Sequence, residues 1–519
     1  MQIPTMPFKV LALAPFKPPE GALAVQEPIR VEKENFDRVL SDFEISLPVS
    51  LPKNLCPSGG LTLDLKRLKD FHPDHLIENV PFLRNIFEAR HFVEEAKMKG
   101  LHEEEIYRRL KAWPDLPIEI KWEPRKTERS SVTPIDDILK MVAMPEESSS
   151  GETQSFMSQL DSLLQTILRH IFLDKKFRNL ESTWRGLRLL IEQEKADGTI
   201  LLEIIPVSFD TLEETLNHLM VHLIEDLPSL VLLDLPFDNS PRSLELLDKI
   251  GLFSETLLVP TLGWITPKFF YLDGWHDLKK LAFLPHYLEE PAFAKWRHFK
   301  KTPSARWVTL TCNRFLLRYP YGPNNLPSSI HFEEPENLWL SPVWALGNLI
   351  SQSLLKTGWP TRFMEWQNIR LMDLALYPVA GNQNLPTEAL FSEERISQFL
   401  KVGILPLVSI PNKDIAFIPG DTTVGNGSLS YQLFLSRVTQ FLFWCKESIG
   451  RDLDPADIER SLQRAFTLLW ERTGHLSPRN LEISVTRPGP EKPAMARIVI
   501  EPSRQILPSG EKIELELNW

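Results

Sequence analysis

Cysteine is nearly absent from this 519-residue chain: Cys56, Cys312 and Cys445 stand far apart, with no CxxC spacing. That leaves no disulfide framework and no cysteine-based zinc signature, and it suits a reducing compartment. Positive charge is short as well. The 58 Lys and Arg against 69 Asp and Glu give a formal net charge of −11, and no basic stretch stands out. A phosphate backbone would meet little attraction, so no nucleic-acid partner is expected. No window approaches the ~18 consecutive apolar residues of a membrane span. The opening "MQIPTMPFKVLALAPFKPP" has no basic n-region and its apolar run is broken by prolines, so it does not read as a signal peptide. The loops GxxxxGK[ST], GxGxxG and GxSxG are missing too. We therefore expect a cytoplasmic protein with no membrane insertion, no catalytic residues and no cofactor.

What is present is globular composition, 43% hydrophobic and 24% charged, which can build sizeable cores. At roughly 150 residues per domain the length allows about three domains. Residues 6 to 120 read as a compact α/β unit. "FKVLALAPF" is a buried strand, "IRVEKENFDRVLSDF" passes from strand to helix, "LTLDLKRLKDF" alternates as a half-buried strand, and "NVPFLRNIFEARHFVEEAKMKG" is helical up to Gly100. From about 121 to 155 the chain turns polar and rich in Pro and Ser, bracketing one short apolar segment, "IDDILKMVAM"; this is the expected linker.

Beyond it, Phe156, Leu160, Leu163, Leu164, Ile167, Leu168 and Ile171 follow one helical face. "FRNLESTWRGLRLLIEQ" is a second helix. The runs "TILLEIIPV", "SLVLLDL" and "TLLVPTL" alternate with helical stretches, which implies a mostly parallel sheet covered on both faces. Two helices and three strand-like runs close the chain. In the last, Ile513, Leu515, Leu517 and Trp519 alternate with polar residues, so this one-sided strand needs a sheet to join.

Two clusters bear on chemistry. In "HLMVHLIE", His218 and His222 lie four apart, with Glu225 three further on, and all three can share a helix face. The HExxH glutamate is missing and the flanks read as an ordinary amphipathic helix, so no metal role is expected. "HPDH", with His72 and His75, reads as turn and cap chemistry. The run "NRFLLRYPYG" raises the question of an anion grip at Arg314 and Arg318. If it is extended, Arg314, Leu316 and Arg318 share one face, and Phe315, Leu317 and Tyr319 the other. Such a grip usually adds backbone N–H donors, and Pro320 removes one where a loop would supply it. The structural reading, arginines with apolar stems and paired heads, is favoured.

These stretches together resemble the two sheath proteins of the bacterial type VI secretion system, the small subunit (TssB, or VipA) and the large one (TssC, or VipB), joined end to end. The small-subunit resemblance rests on "MPFKVLALAPF", "IRVEKENFDRVL", "LKDFHPDHLIENVPFLRNIFEAR" and "EEEIYRRL". The large-subunit resemblance rests on Leu180, Glu181, Trp184, Arg185, Gly186 and Leu187 of one helix, then on Arg314, Phe315, Leu316, Arg318, Pro320, Tyr321 and Gly322. "HFEEPENLWL" and the segment from Pro386, Thr387 and Glu388 continue it. In "LWLSPVWAL" the chain departs from the Gly-Asn that the family prefers after the Trp.

The resemblance implies an α/β protein in four parts: a small-subunit domain (1–120), a linker (121–155), a large-subunit N-terminal domain (156–405) and a C-terminal α+β portion (406–519) ending in a strand-rich sheet. It implies a structural protomer of a contractile sheath around an inner tube. Expected partners are other sheath protomers, inner-tube and baseplate proteins, and a recycling ring ATPase. The alternative of the same origin is a homologue that caps, nucleates or docks on such a machine without forming a long tube. An alternative of another class is a metal-dependent enzyme built on His218, His222 and Glu225. The family joins protomers by strand exchange, which places Ile513, Leu515, Leu517 and Trp519 at the expected joint. With only residues 1–6 ahead of the small subunit's Pro-Phe strand, the chain is expected to accept a strand more readily than it donates one.

Overall fold

The computed structural model describes residues 6–18, 27–117, 120, 156–193, 198–223, 226–379, 381–449, 453–474, 478–487 and 493–519. The expected linker and its apolar segment lie outside these residues. Two units emerge, and neither is continuous in sequence. The larger takes Met1–Phe43, Arg178–Tyr319 and Asn337–Trp519; the smaller takes Glu44–Phe177 and Pro320–Glu336.

The larger unit is built on a seven-stranded sheet. Its strands include β1 (Phe8–Ala14) and β2 (Ile29–Val31). After the two strands of the smaller unit, β3 (Ile45–Ser50) and β4 (Gly60–Leu65), it continues with β5 (Ile200–Pro206), β6 (Leu230–Phe237), β7 (Thr261–Ile265) and β8 (Val308–Cys312). The spatial order is Ile404–Pro406, β8, β7, β6, β1, β5, β2. All neighbours are parallel except the edge strand β2, which runs antiparallel to β5. Every residue of β1 is buried, as an inner parallel strand covered on both faces requires.

The strand "FKVLALAPF" is thus real, but its place differs from the compact unit of residues 6 to 120 that the sequence suggests. β1 pairs Val10 with Leu202 on one side and Leu230 on the other. Periodicity reports that a strand is buried on both faces; it does not report which strands flank it. A second difference concerns "TLLVPTL". Leu258 adopts φ 54°, which closes the helix Pro241–Leu257, and the strand begins only at Thr261.

The last three strands form a separate antiparallel sheet, Asn480–Thr486, Met495–Glu501 and Ile513–Asn518 in that order. It packs with the helices Leu429–Ser448 and Pro455–Arg472, burying Phe441, Phe466, Trp470, Ile498 and Ile513 in one cluster. The one-sided final strand therefore finds its sheet within its own chain.

In the smaller unit β3 and β4 pair antiparallel, and the helix Pro81–Met98 buries Leu83, Ile86, Ala89, Val93 and Ala96, a single stripe at helical spacing. Arg90 on that helix donates to Asp161 Oδ1 at 2.6 Å, on the helix Phe156–Leu173. Among the described residues no helix is long and apolar enough to cross a membrane.

Candidate functional site

The helix Lys175–Ile191 carries the first motif and uses its residues in two ways. Glu181 is fully buried. Its Oε1 accepts from Arg185 Nε at 2.7 Å and Arg318 Nε at 3.0 Å, and its Oε2 from Arg318 Nη2 at 3.2 Å. Burial pushes this carboxyl's pKa up, but the charges and hydrogen bonds of Arg318 and Arg185 outweigh it and hold the pKa below the usual glutamate value.

Trp184, also fully buried, donates its indole N–H to the carbonyl of Phe16 at 3.0 Å, two residues past β1. The rings of Phe16, Phe36 and Phe43 stand edge-on to it at 5.2, 5.7 and 5.6 Å. Gly186 allows the helix Pro342–Thr357 to approach: a Cβ there would sit 2.4 Å from the Trp344 ring. Leu180 and Leu187 complete the buried face.

The second motif answers the question of the anion grip. Arg314 makes a fork-to-fork pair with Glu388, Nε to Oε2 at 2.9 Å and Nη2 to Oε1 at 2.8 Å. The backbones join as well: Glu388 N–H donates to Arg314 O at 2.9 Å, and Leu316 N–H to Pro386 O at 2.8 Å. Thr387, buried, shares a 2.6 Å hydrogen bond with Ser409. Asn313, at φ 77°, donates from its amide to the carbonyls of Ala389 and Leu407. The anions held by Arg314 and Arg318 are the protein's own carboxylates.

The run is not extended throughout, so the two faces that an extended run would present are not formed. Only Phe315–Leu316 is strand, paired with Trp339–Leu340, and both of these consecutive residues are buried; a left-handed turn at Asn313 precedes them. Pro320, Tyr321 and Gly322 fall in the smaller unit. There the buried Tyr321 ring packs edge-on to Phe172 and His72 at 5.5 and 4.9 Å. Gly322 takes φ 150° and donates its N–H to Asn325 O, a conformation that L side chains avoid.

Elsewhere, His72 Nδ1 caps the helix Pro73–Asn79 by accepting from Asp74 N–H at 3.2 Å. The three cysteines are free and buried, and burial pushes the Cys445 thiol up to about 12. His218 and His222 stack at 4.0 Å between ring centroids. Glu225 lies outside the described residues, and the acid beside the pair is Glu27, 191 positions before His218, a partner that helix spacing cannot reveal. Ile513 and Trp519 are buried in their own core, with Leu515 and Leu517 packed beside them.

A family profile described as EvpB/VC_A0108 (VipB), tail sheath N-terminal domain, matches residues 154–223 and 228–425, more than half of the chain. The chain belongs to the tail sheath family. A second profile, type VI secretion system VipA (VC_A0107 or Hcp2), matches residues 2–113, so both sheath segments occur in one polypeptide. Among curated proteins, the type VI secretion system sheath protein TssC1 of Pseudomonas aeruginosa is 25% identical over an alignment of 299 residues that covers 51% of this chain. The chain covers only 60% of that relative's length. Among solved structures, the sheath complex of an extracellular contractile injection system in its contracted state aligns with a TM-score of 0.36 and 10% identity, over 65% of this chain and 76% of that one. A sheath tail protein of Listeria innocua aligns with a TM-score of 0.33 and 11% identity, over 60% of each chain.

The two profile matches give the fold a further meaning. The VipA-type segment supplies β1 and β2, and the VipB-type segment supplies the other five strands of the same sheet. β1 sits between β5 and β6, so the sheet of this sheath protein is composite.

Proposed function

We propose that this chain is a one-polypeptide sheath protomer that assembles with its own copies around an inner tube, as a structural element and not as an enzyme. The observation that carries the reading is the composite sheet, in which an inner strand from one family segment completes the sheet of the other. Each segment alone would leave an apolar strand or slot exposed. Joining the two covalently makes their pairing intramolecular and fixes their ratio at one to one. The resemblance points to the cytoplasm as the site of assembly, and to inner-tube, baseplate and ring-ATPase partners.

In this reading the motif residues Glu181, Trp184, Arg185, Gly186, Arg314, Arg318 and Glu388 keep the protomer rigid. Protomers would join through the edge of the terminal sheet. There Ile513, Leu515, Leu517 and Trp519 fix the strand Ile513–Asn518 on its own core, and its main chain receives a neighbour's strand. The test is electron microscopy and sedimentation of the purified full chain across protein concentration. Sheath-like tubes are the expected outcome. Discrete rings would favour a capping homologue, and a monomer at every concentration would refute self-assembly.

A further inference from the structure

We propose that Glu27, His218 and His222 form a binding site for a divalent transition ion of the zinc class. His218 and His222 lie four apart on the helix Leu212–His222, a spacing that stacks side chains on one face. Glu27 comes from the segment leading into β2, and its Oε1 lies 3.2 Å from His218 Nε2. One donor atom from each of the three residues lies within 4.8 Å of the other two.

The distances suit the ion. A tetrahedral zinc with bonds of about 2.0–2.1 Å sets neighbouring donors about 3.3–3.5 Å apart. The Glu27–His218 separation is already close to such an edge, and bringing in His222 needs only a side-chain adjustment. Two imidazoles and one carboxylate form a donor set for zinc, cobalt, nickel or copper; calcium and magnesium prefer a shell of oxygens. Glu27 and His222 are exposed and His218 is half-buried, so water can take the fourth position.

The consequence is mechanical. β2 is a three-residue edge strand that pairs with no strand but β5 among the described residues. Without metal, the Glu27–His218 pair is a surface contact of the kind that contributes little. With metal, it becomes a coordinate clasp between the entry to the edge strand and a helix of the same unit. An ion that binds only the folded protein also raises its stability by mass action.

The test is titration of the metal-stripped full chain with zinc ion, and separately with magnesium ion, followed by calorimetry and thermal unfolding. The wild type should bind one equivalent of zinc that the His218→Ala/His222→Ala double variant lacks. Zinc should raise the unfolding temperature of the wild type only, and magnesium should do neither. Glu27→Gln should weaken zinc binding about tenfold or more while metal-free unfolding stays unchanged. Equal zinc stoichiometry and affinity in the wild type and the double variant would overturn the proposal, because the ion would then bind elsewhere. No zinc binding by the wild type would overturn it as well, leaving an ordinary histidine–glutamate contact.

Discussion

The seven-stranded sheet and the three-stranded sheet that closes the chain bury their strands in different ways. β1 is buried along its whole length and flanked by strands on both sides. The strand Ile513–Asn518 buries one face and, among the described residues, pairs along one edge only. A strand of the first kind has all its main-chain groups engaged and can only hold the protomer together. A strand of the second kind keeps a row of main-chain donors and acceptors for another chain. In the proposed protomer, the internal joint and the external joint would thus sit on different sheets, and each can be tested separately.

The largest effect should come from the inner strand. Leu11→Asp would place a carboxylate where there is no exposure at all, at a cost above about 5 kcal/mol, and no soluble folded protein should be recovered. Recovery of a cooperative thermal transition near that of the wild type would mean that β1 is not an inner strand. The same logic sharpens the fusion. A specific protease site engineered between residues 121 and 155 should yield two fragments that co-elute on a sizing column, because β1 stays held between β5 and β6. Fragments that separate without denaturant would contradict the composite sheet.

Next come the residues that cover the sheet. Trp184→Ala should cost about 3–5 kcal/mol in denaturant titration. Glu181→Ala should cost a similar ~3–5 kcal/mol, since it strands two guanidinium groups at a buried site. The acid response distinguishes Glu181 from a second buried carboxyl, Asp234, which accepts from the indoles of Trp264 at 3.0 Å and Trp344 at 2.7 Å. Glu181 has a folded pKa below its unfolded one. Its contribution is complete above the unfolded value and is lost as pH falls through the folded value. Burial raises the pKa of Asp234, and neutral indole donors do not offset it. Its contribution is complete below its unfolded pKa and fades as pH rises through the folded one. Between about pH 3 and pH 7, the advantage of wild type over Glu181→Gln should therefore grow with pH, while wild type should lose ground to Asp234→Asn. Parallel pH profiles for the two variants would show that the flanking charges do not matter.

Much of this was legible in the sequence, and the limits have a physical cause. Local patterns are self-contained, so the buried run of β1, the stripe around Leu164 and the period-two strand at Ile513 could be read directly. Partners distant in the chain could not. Nothing near Arg314 names Glu388, 74 positions on, and nothing near Phe8 announces Ile200 as its neighbour. Glu27 was missed beside His218 for the same reason. The motif residues could be picked out by resemblance, but their pairing needed coordinates. The left-handed turns at Asn313 and Leu258 also went unread, because only Gly advertises such a backbone plainly.

The smallest effect on stability, and the most informative about assembly, should come from the outer edge of the last strand. Trp519 N–H donates to Ala494 O, and the register pairs Leu517 with Ala496, Leu515 with Ile498 and Ile513 with Ile500. Antiparallel pairs alternate between hydrogen-bonded and non-hydrogen-bonded. Residues 513, 515, 517 and 519 therefore direct their N–H groups inward, and Glu514, Glu516 and Asn518 direct theirs to the free edge. Proline is tolerated where the lost N–H faces outward on an edge strand. Glu516→Pro should thus leave the unfolding transition close to that of the wild type while removing a donor that an incoming strand would use. Leu515→Pro would break the internal ladder and should loosen the terminal sheet itself. If the edge is the joint between protomers, Glu516→Pro sediments as a small species under conditions where wild type assembles. If Glu516→Pro assembles as well as wild type, the joint lies elsewhere, and the free edge of this sheet is only an edge.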